Sequence, residues 1–306
     1  MDIIVAKPRG FCAGVERAIK CVEQALERYG APVYVLNNIV HNAHVVNELQ
    51  DKGAVFVKDI DGVPEGSHLL FSAHGVSPER WEQAKRLNLE VVDATCPLVE
   101  KVHFEARRFA KRGYSIILIG EDGHDETIGT MGQAPEHIIL VTTKEEVDTL
   151  KVPDPDNLSY ITQTTLSVDD CQEIIDALKA KFPNIMQPPK DDICYATTNR
   201  QAAVNALAME VDLVLVVGDQ ESANSARLAE IARSKGRPAH LILDASYIEE
   251  AWLDDVERIL LTSGASVDDK HVQGVIQFFQ EREPCQVEER ELVEENVYFR
   301  LPTAIA

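Results

Sequence analysis

Short apolar runs recur along this chain. Each ends in a polar tip, and a stretch follows in which apolar residues return every three or four positions. MDIIVAKPRGFCAGVERAIKCVEQAL is the first case: the apolar run after Asp2 gives way to Val15, Ala18, Ile19 and Val22. LEVVDATCPLVEKV repeats the switch, with Val99, Val102, Ala106 and Phe109 after its polar tip, and NIMQPPKDDICYATTNRQAAVNAL ends in Ala203, Val204 and Leu207. A short apolar run bounded by turn residues reads as a buried strand, and the longer period reads as an amphipathic helix. Pro97 stands where proline is tolerated, in the first turn of such a helix.

The same order of elements follows each of these stretches. A strand with a polar tip comes first: VYVLNNIVHN, SIILIGEDGHDE and VDLVLVVGDQESANS. After a helix and a short strand comes a second tipped strand: HLLFSAHGVS, LSYITQTTLS and RILLTSGAS. Another helix follows, such as PERWEQAKRLN or DDCQEIIDALKAKF, and a further strand leads into the next unit. The third unit lacks that last strand, and the N-terminal run from Asp2 to Ala6 is expected to supply it. Alternating strands and helices predict an α/β fold with mainly parallel sheets. The expected arrangement is three similar α/β domains around a pseudo-threefold axis, with boundaries 14–96, 97–190 and 191–283 plus 1–13. Residues 284–306 read as an acidic, partly extended tail. Ligands of parallel sheets gather beyond the carboxyl ends of the strands, so the polar tips are expected to face one central cavity.

Composition narrows the function. A chain of 306 residues is long enough for several domains. Its formal net charge of −21 argues against binding nucleic acid or an anionic membrane, both of which need a basic face. No apolar run approaches the roughly 18 residues of a membrane span. The first residues lack the basic start and apolar core of a signal peptide, so a cytoplasmic protein, a monomer or weak dimer, is expected. No glycine-rich nucleotide loop is present, and a reduction by this chain would draw its electrons from a separate carrier.

The candidate chemistry lies at the strand-to-helix switches. Cys12, Cys96 and Cys194 occupy matching places in the repeat, each at an expected helix N-terminus, where backbone N–H groups favour a thiolate. A lone cysteine is more often a small buried hydrophobe; three at matching points favour metal ligation. Three thiolates leave a metal site one ligand short, which suits a 4Fe-4S cluster with one open iron. Cys21, Cys171 and Cys285 lack that context and receive no role. The tips carry His41 with Asn42, His74, His124 with Glu126, Thr164 with Thr165, Ser222 with Asn224, and Ser266. These are mainly hydrogen-bond donors, as an anion such as a diphosphate requires. Glu126 is a carboxyl among donors, the place for a proton-delivering group. The plainer alternatives are helix caps and turns for the hydroxyls, and zinc ligation for the histidines.

The stretches PRGFCAGV, VHN, SAHGV, DATCPLVEKVH, GTMGQ, TQTTLS and DDICYATTNRQ together resemble the 4-hydroxy-3-methylbut-2-enyl diphosphate reductase family, from about residue 1 to 282. The resemblance implies an iron–sulfur oxidoreductase of the methylerythritol phosphate route to isoprenoids. It would reductively remove the substrate hydroxyl, yielding isopentenyl and dimethylallyl diphosphate, with ferredoxin or flavodoxin as electron donor. It places Cys12, Cys96 and Cys194 on a central 4Fe-4S cluster. His41, His74, His124, Ser222, Asn224 and Ser266 would hold the diphosphate, Thr164 would contact the hydroxyl, and Glu126 would supply protons. Three tips depart from the family pattern. GHDE stands for GHPE, and Asp125 is expected to raise the Glu126 pKa by like charge. SAN stands for SSN, so Ala223 removes one donor, about 1 kcal/mol of binding. GASVDDK lacks a proline; Asp268 and Asp269 would favour the next helix N-terminus, and would repel a diphosphate if they faced it. The alternatives are a non-catalytic paralogue sensing redox state through the cluster, or a reductase for another small phosphorylated substrate.

Overall fold

The computed structural model describes residues 1–282 and 284–305. In chain order, β1 (Asp2–Lys7) leads to α1 (Ala13–Tyr29), β2 (Val33–Leu36), α2 (Ala43–Asp51), β3 (Ala54–Val57), β4 (His68–Phe71), α3 (Pro78–Arg86) and β5 (Glu90–Asp93). Next come α4 (Pro97–Lys111), β6 (Ser115–Ile119), α5 (Asp125–Met131), β7 (Ile138–Val141), α6 (Lys144–Thr149), β8 (Leu158–Thr162) and α7 (Val168–Lys181). The last third holds α8 (Tyr195–Leu207), β9 (Leu213–Val217), α9 (Ala223–Ser234), β10 (Ala239–Ile242), β11 (Arg258–Ser263), α10 (Asp269–Gln280) and β12 (Gln286–Glu291).

The strands form three parallel sheets, ordered β3-β2-β4-β5, β7-β6-β8 and β10-β9-β11-β1-β12. The α/β repeat expected from the hydropathy pattern is present: each sheet places its second strand outermost, then its first, then its third. The fourth place is filled by β5 in one sheet and by the N-terminal β1 in another, so the N-terminal run does complete the last unit. In the middle sheet that place shrinks to one parallel bridge between Ser159 and Met186. Its two bonds are Tyr160 N–H to the Met186 carbonyl, 3.1 Å, and Met186 N–H to the Leu158 carbonyl, 2.8 Å. Pro188 and Pro189 follow at once, and proline lacks the N–H that a ladder needs.

By compactness the chain divides into two units. One comprises Met1–Val15, His41–Ala43 and Tyr195–Tyr298. Its sheet is covered on both faces. Ile4, Val214, Val216 and Leu260 pack with Val204 and Leu207 of α8 and Leu228 of α9, while Ile3, Leu215, Val217 and Leu261 pack with Val272, Ile276 and Phe279 of α10. Neighbouring strand residues point to opposite faces, and two covered faces explain why LVLVV is apolar throughout. The acidic segment after residue 283 contributes β12, an extended strand paired in parallel with β1 along its whole length. QVEERE carries no apolar period, and its charges suit a solvent-facing edge strand. The expected boundary at 283 falls on Glu283, outside the described residues.

The second unit comprises Glu16–Val40, His44–Cys194 and the chain from Phe299. It holds both remaining sheets. Leu36, Leu69 and Phe71 pack with Ala84 of α3; Ile116, Leu118 and Ile161 pack with Val102, Ala106 and Phe109 of α4; Ile117, Leu158 and Tyr160 pack with Ile174 and Leu178 of α7. The chain end is held here too: Ile305 is buried, Arg17 Nε donates to the Arg300 carbonyl at 2.8 Å, and Tyr29 Oη donates to the Ala304 carbonyl at 3.1 Å. Among the described residues no helix is long and apolar enough to cross a membrane.

Candidate active site

The three cysteines share one backbone device. Cys96 is the N-cap of α4 with Pro97 behind it, and Cys12 and Cys194 immediately precede α1 and α8. Each donates its N–H to the carbonyl of a residue just beyond a strand: Cys96 to Ala73 after β4, Cys194 to Thr164 after β8, and Cys12 to Ala265 after β11, each at 3.0 Å. The residues that follow these carbonyls are His74, Thr165 and Ser266, so each cysteine is tied beside a polar tip. All three are half-buried, and none forms a disulfide among the described residues. Cys21 and Cys171, within α1 and α7, are buried, and burial pushes their thiols up to about 11 and about 12. At Cys12 burial opposes the thiolate that the helix N-terminus favours. Burial raises its pKa, and the opposing pull of the Val15 and Gly14 N–H groups and of Arg200 is smaller. A metal bound there would add positive charge that favours the thiolate. Soft sulfur donors outside any disulfide, in matching settings, fit an iron–sulfur cluster.

In the second unit, two strand tips and α5 enclose a buried carboxyl bonded to a hydroxyl. Glu126 lies in the first turn of α5 and is buried. Its Oε1 accepts the Thr164 N–H at 2.7 Å and its Oε2 accepts the Thr164 hydroxyl at 3.0 Å. Burial pushes its pKa up to about 7 against those bonds, with Asp192 and Glu121 adding to the rise. Asp125, expected to be the cause, is not among the groups that raise it; its Oδ1 accepts from Asn37 Nδ2 at 3.1 Å. His124 caps α5, its Nδ1 accepting the Glu126 N–H at 3.1 Å. A ring nitrogen that accepts carries no proton, so the neutral imidazole holds its proton on Nε2 as a donor. The His74 ring stands edge-on to that of His124, 5.7 Å between centroids.

Four further residues shape these tips, and residue-type reasoning passed over them although each lies in a stretch quoted above. Lys101 on α4 donates to the carbonyls of Lys190 and Asp191 at 2.7 and 2.9 Å and to Asp192 Oδ1 at 2.7 Å. Asp192 Oδ2 accepts the Thr162 N–H at 2.9 Å. The segment entering Cys194 is thereby pinned to α4 on one side and β8 on the other. His103 is buried, and burial lowers its pKa to about 4. Its ring packs under Gly75, whose φ is +76°, and an added Cβ there would lie 2.6 Å from His103 Cε1. Only glycine fits that turn beside His74.

In the first unit, Ser266 Oγ donates to the His41 carbonyl at 3.1 Å, and Asn42 Nδ2 donates to the Ser266 carbonyl at 2.7 Å. These bonds set the His41 and Ser266 tips side by side. Ser222 caps α9, accepting the Ser225 N–H at 3.3 Å and the Ser225 hydroxyl at 2.9 Å, so the plainer capping role does hold for this serine. Asn224 is buried, and neither Oδ1 nor Nδ2 has a partner among the described residues. A buried amide left unsatisfied is costly, and it fits a site that a polar ligand completes. Asp268 caps α10 and Asp269 takes Arg9 Nε at 2.8 Å, in line with their expected place at a helix N-terminus.

Three comparisons bear on this arrangement. The LytB protein family model matches residues 3–280. The 4-hydroxy-3-methylbut-2-enyl diphosphate reductase of Acidothermus cellulolyticus is 52% identical over 301 residues, covering 98% of this chain and 88% of that protein. That of Aeromonas salmonicida is 53% identical over 305 residues, covering 99% and 98%. The solved structure of the E-1-hydroxy-2-methyl-but-2-enyl-4-diphosphate reductase from Plasmodium falciparum matches with a TM-score of 0.96 at 41% identity, covering 99% of this chain and 96% of that one. With matches that span nearly its whole length, this chain belongs to the LytB protein family.

Proposed function

We propose that this chain is a 4-hydroxy-3-methylbut-2-enyl diphosphate reductase of the non-mevalonate isoprenoid pathway, working in the cytoplasm. The reaction takes up two electrons and two protons, breaks the C–O bond of the allylic alcohol and releases water. Protonation of the allylic product at either end yields isopentenyl or dimethylallyl diphosphate. Cys12, Cys96 and Cys194, each at the start of a helix that follows a strand of the three proposed α/β segments 14–96, 97–190 and 191–283 plus 1–13, would hold a 4Fe-4S cluster. When bound, that cluster supplies electrons drawn from a ferredoxin or flavodoxin and an open iron for the substrate hydroxyl.

The chain's own residues bind, orient and protonate. Asn224, Ser222, Ser266, His41, His74 and His124 hold the diphosphate; Asn224 brings two unsatisfied amide atoms, and His124 its Nε2 proton. Anchoring one end of the substrate holds its hydroxyl in place for the chemistry. Thr164 receives the hydroxyl. A protonated Glu126 donates to Thr164 Oγ1, which passes its own proton to the leaving oxygen, so that water departs instead of hydroxide. The observation that carries this reading is the buried Glu126 carboxyl, bonded twice to Thr164 and with its pKa raised by burial.

The test is anaerobic purification, iron and sulfide analysis, and reductant-driven turnover of 4-hydroxy-3-methylbut-2-enyl diphosphate. About four irons per chain with formation of both five-carbon diphosphates is expected. Loss of neither cluster nor turnover in Cys96→Ser would sink the reading. A full cluster without turnover would replace it with the redox-sensing paralogue, or with a reductase for another phosphorylated substrate.

A further inference from the structure

Arg200 lies in the DDICYATTNRQ stretch and has no part in the reading above. Its side chain is fully buried, which is rare for arginine without a partner. Nη2 donates to the Gly10 carbonyl at 2.8 Å, and Nη1 donates to the Ala196 carbonyl at 3.0 Å and to Glu295 Oε1 and Oε2 at 3.1 and 3.3 Å. Nε is buried with no partner among the described residues, a donor left for an acceptor the protein does not supply. Gly10 stands two residues before Cys12, and Ala196 two residues after Cys194. One guanidinium therefore grips the backbone beside two proposed ligands. Gly10 is itself fixed: its φ is +76° and its N–H donates to Ser263 Oγ at 2.8 Å.

Glu295 comes from the segment after β12. That segment turns its apolar residues outward, with Val293 42% and Tyr298 74% exposed. It has little apolar burial of its own to hold it, whereas Glu295 points inward, 14% exposed, and also accepts from Asn199 Nδ2 at 3.0 Å. A carboxylate placed on a buried arginine does two things. It fixes the fork, and it cancels a charge that would otherwise act at full strength in a poorly screened interior.

We propose that residues 292–298 are a working part of the cysteine site. Glu295 holds and neutralises Arg200, Arg200 positions the Cys12 loop, and together they set how readily the site accepts an electron. Arg200 is a positioning residue, and the proposal rests on the reductase reading. A buried cation stabilises the reduced, more negative state of an iron–sulfur site, and its carboxylate partner offsets that effect.

The experiment is a potentiometric titration of the anaerobically loaded full-length protein, followed by electron paramagnetic resonance, with iron release to a chelator measured alongside. Glu295→Gln keeps an acceptor and removes the charge, so the reduction potential is expected to move positive. Glu294→Gln, on an exposed neighbour, is expected to leave it in place. Arg200→Lys keeps the charge but loses the fork; a potential near that of the unaltered protein with faster iron release is expected. Equal potentials in the two glutamine variants would overturn the electrostatic role, even if Glu295→Gln melts earlier. Unchanged iron release in Arg200→Lys would overturn the positioning role, and this variant carries the test if Glu295→Gln fails to fold. An unaltered protein that loads no iron would overturn the reductase reading first and this one with it.

Discussion

Glu126 shows how one side chain ties stability to activity. Its folded pKa of about 7 exceeds the ordinary 4.5, so the folded protein binds this proton more tightly than the unfolded chain does. Its contribution to stability is complete below about pH 4.5 and is lost as pH rises through about 7, a swing of ~3 kcal/mol. Glu126→Gln is therefore expected to raise the denaturant midpoint at pH 8 and to leave it nearly unchanged at pH 4, while abolishing turnover. In the unaltered protein, turnover should fall on the alkaline side with an apparent pKa near 7; a profile flat from pH 6 to 8 would remove Glu126 as the proton donor. Asn224 makes the same trade. Asn224→Ala removes two buried unsatisfied atoms, so the ligand-free protein should gain ~1 kcal/mol while affinity for inorganic diphosphate falls about tenfold. Calorimetry of both quantities checks it, and an affinity that holds would take Asn224 out of the site. The residue types at the tips were legible because histidine, asparagine and glutamate are informative at strand ends. The cause of the Glu126 shift was not: like charge from Asp125 was the local guess, and burial by distant chain is the answer.

Among the elements, α4 does the most. It starts at Cys96, its His103 supports the turn beside His74, and its Lys101 pins the segment before Cys194. Asp192 is buried, so losing one partner of its pair with Lys101 leaves an uncompensated charge, at a cost of about 3–5 kcal/mol. Lys101→Met is expected to lower the free energy of unfolding by that much. Asp192→Asn, which keeps an acceptor for the Thr162 N–H, should cost less. The reverse order, measured by chemical denaturation, would mean that the backbone bond and not the charge holds this segment. The start of α4 was readable from Pro97 and the spacing of Val99, Val102, Ala106 and Phe109. What its polar face grips was not, because Lys101 and Asp192 are far apart in the chain and neither has an unusual local context. β12 was passed over for a related reason: an edge strand facing water needs no apolar alternation, and its pairing is made by backbone groups that every sequence carries.

For the molecule as a whole, the net charge of −21 makes self-repulsion the leading long-range term. Raising sodium chloride from about 0.02 to 0.3 M shortens the screening length several-fold, so the melting temperature should rise across that range. A fall would mean that surface ion pairs such as Lys52 with Glu23 outweigh the repulsion. Hydropathy spacing was enough to establish the α/β repeat, the closing role of β1 and the cysteine positions, because strand and helix periods are local properties of consecutive residues. Division into two compact units, the edge strand, the shared N–H tether of the three cysteines and the burial of Arg200 with Glu295 all depend on contacts between distant segments. Such contacts set burial and charge compensation, and those quantities exist only once the chain has folded.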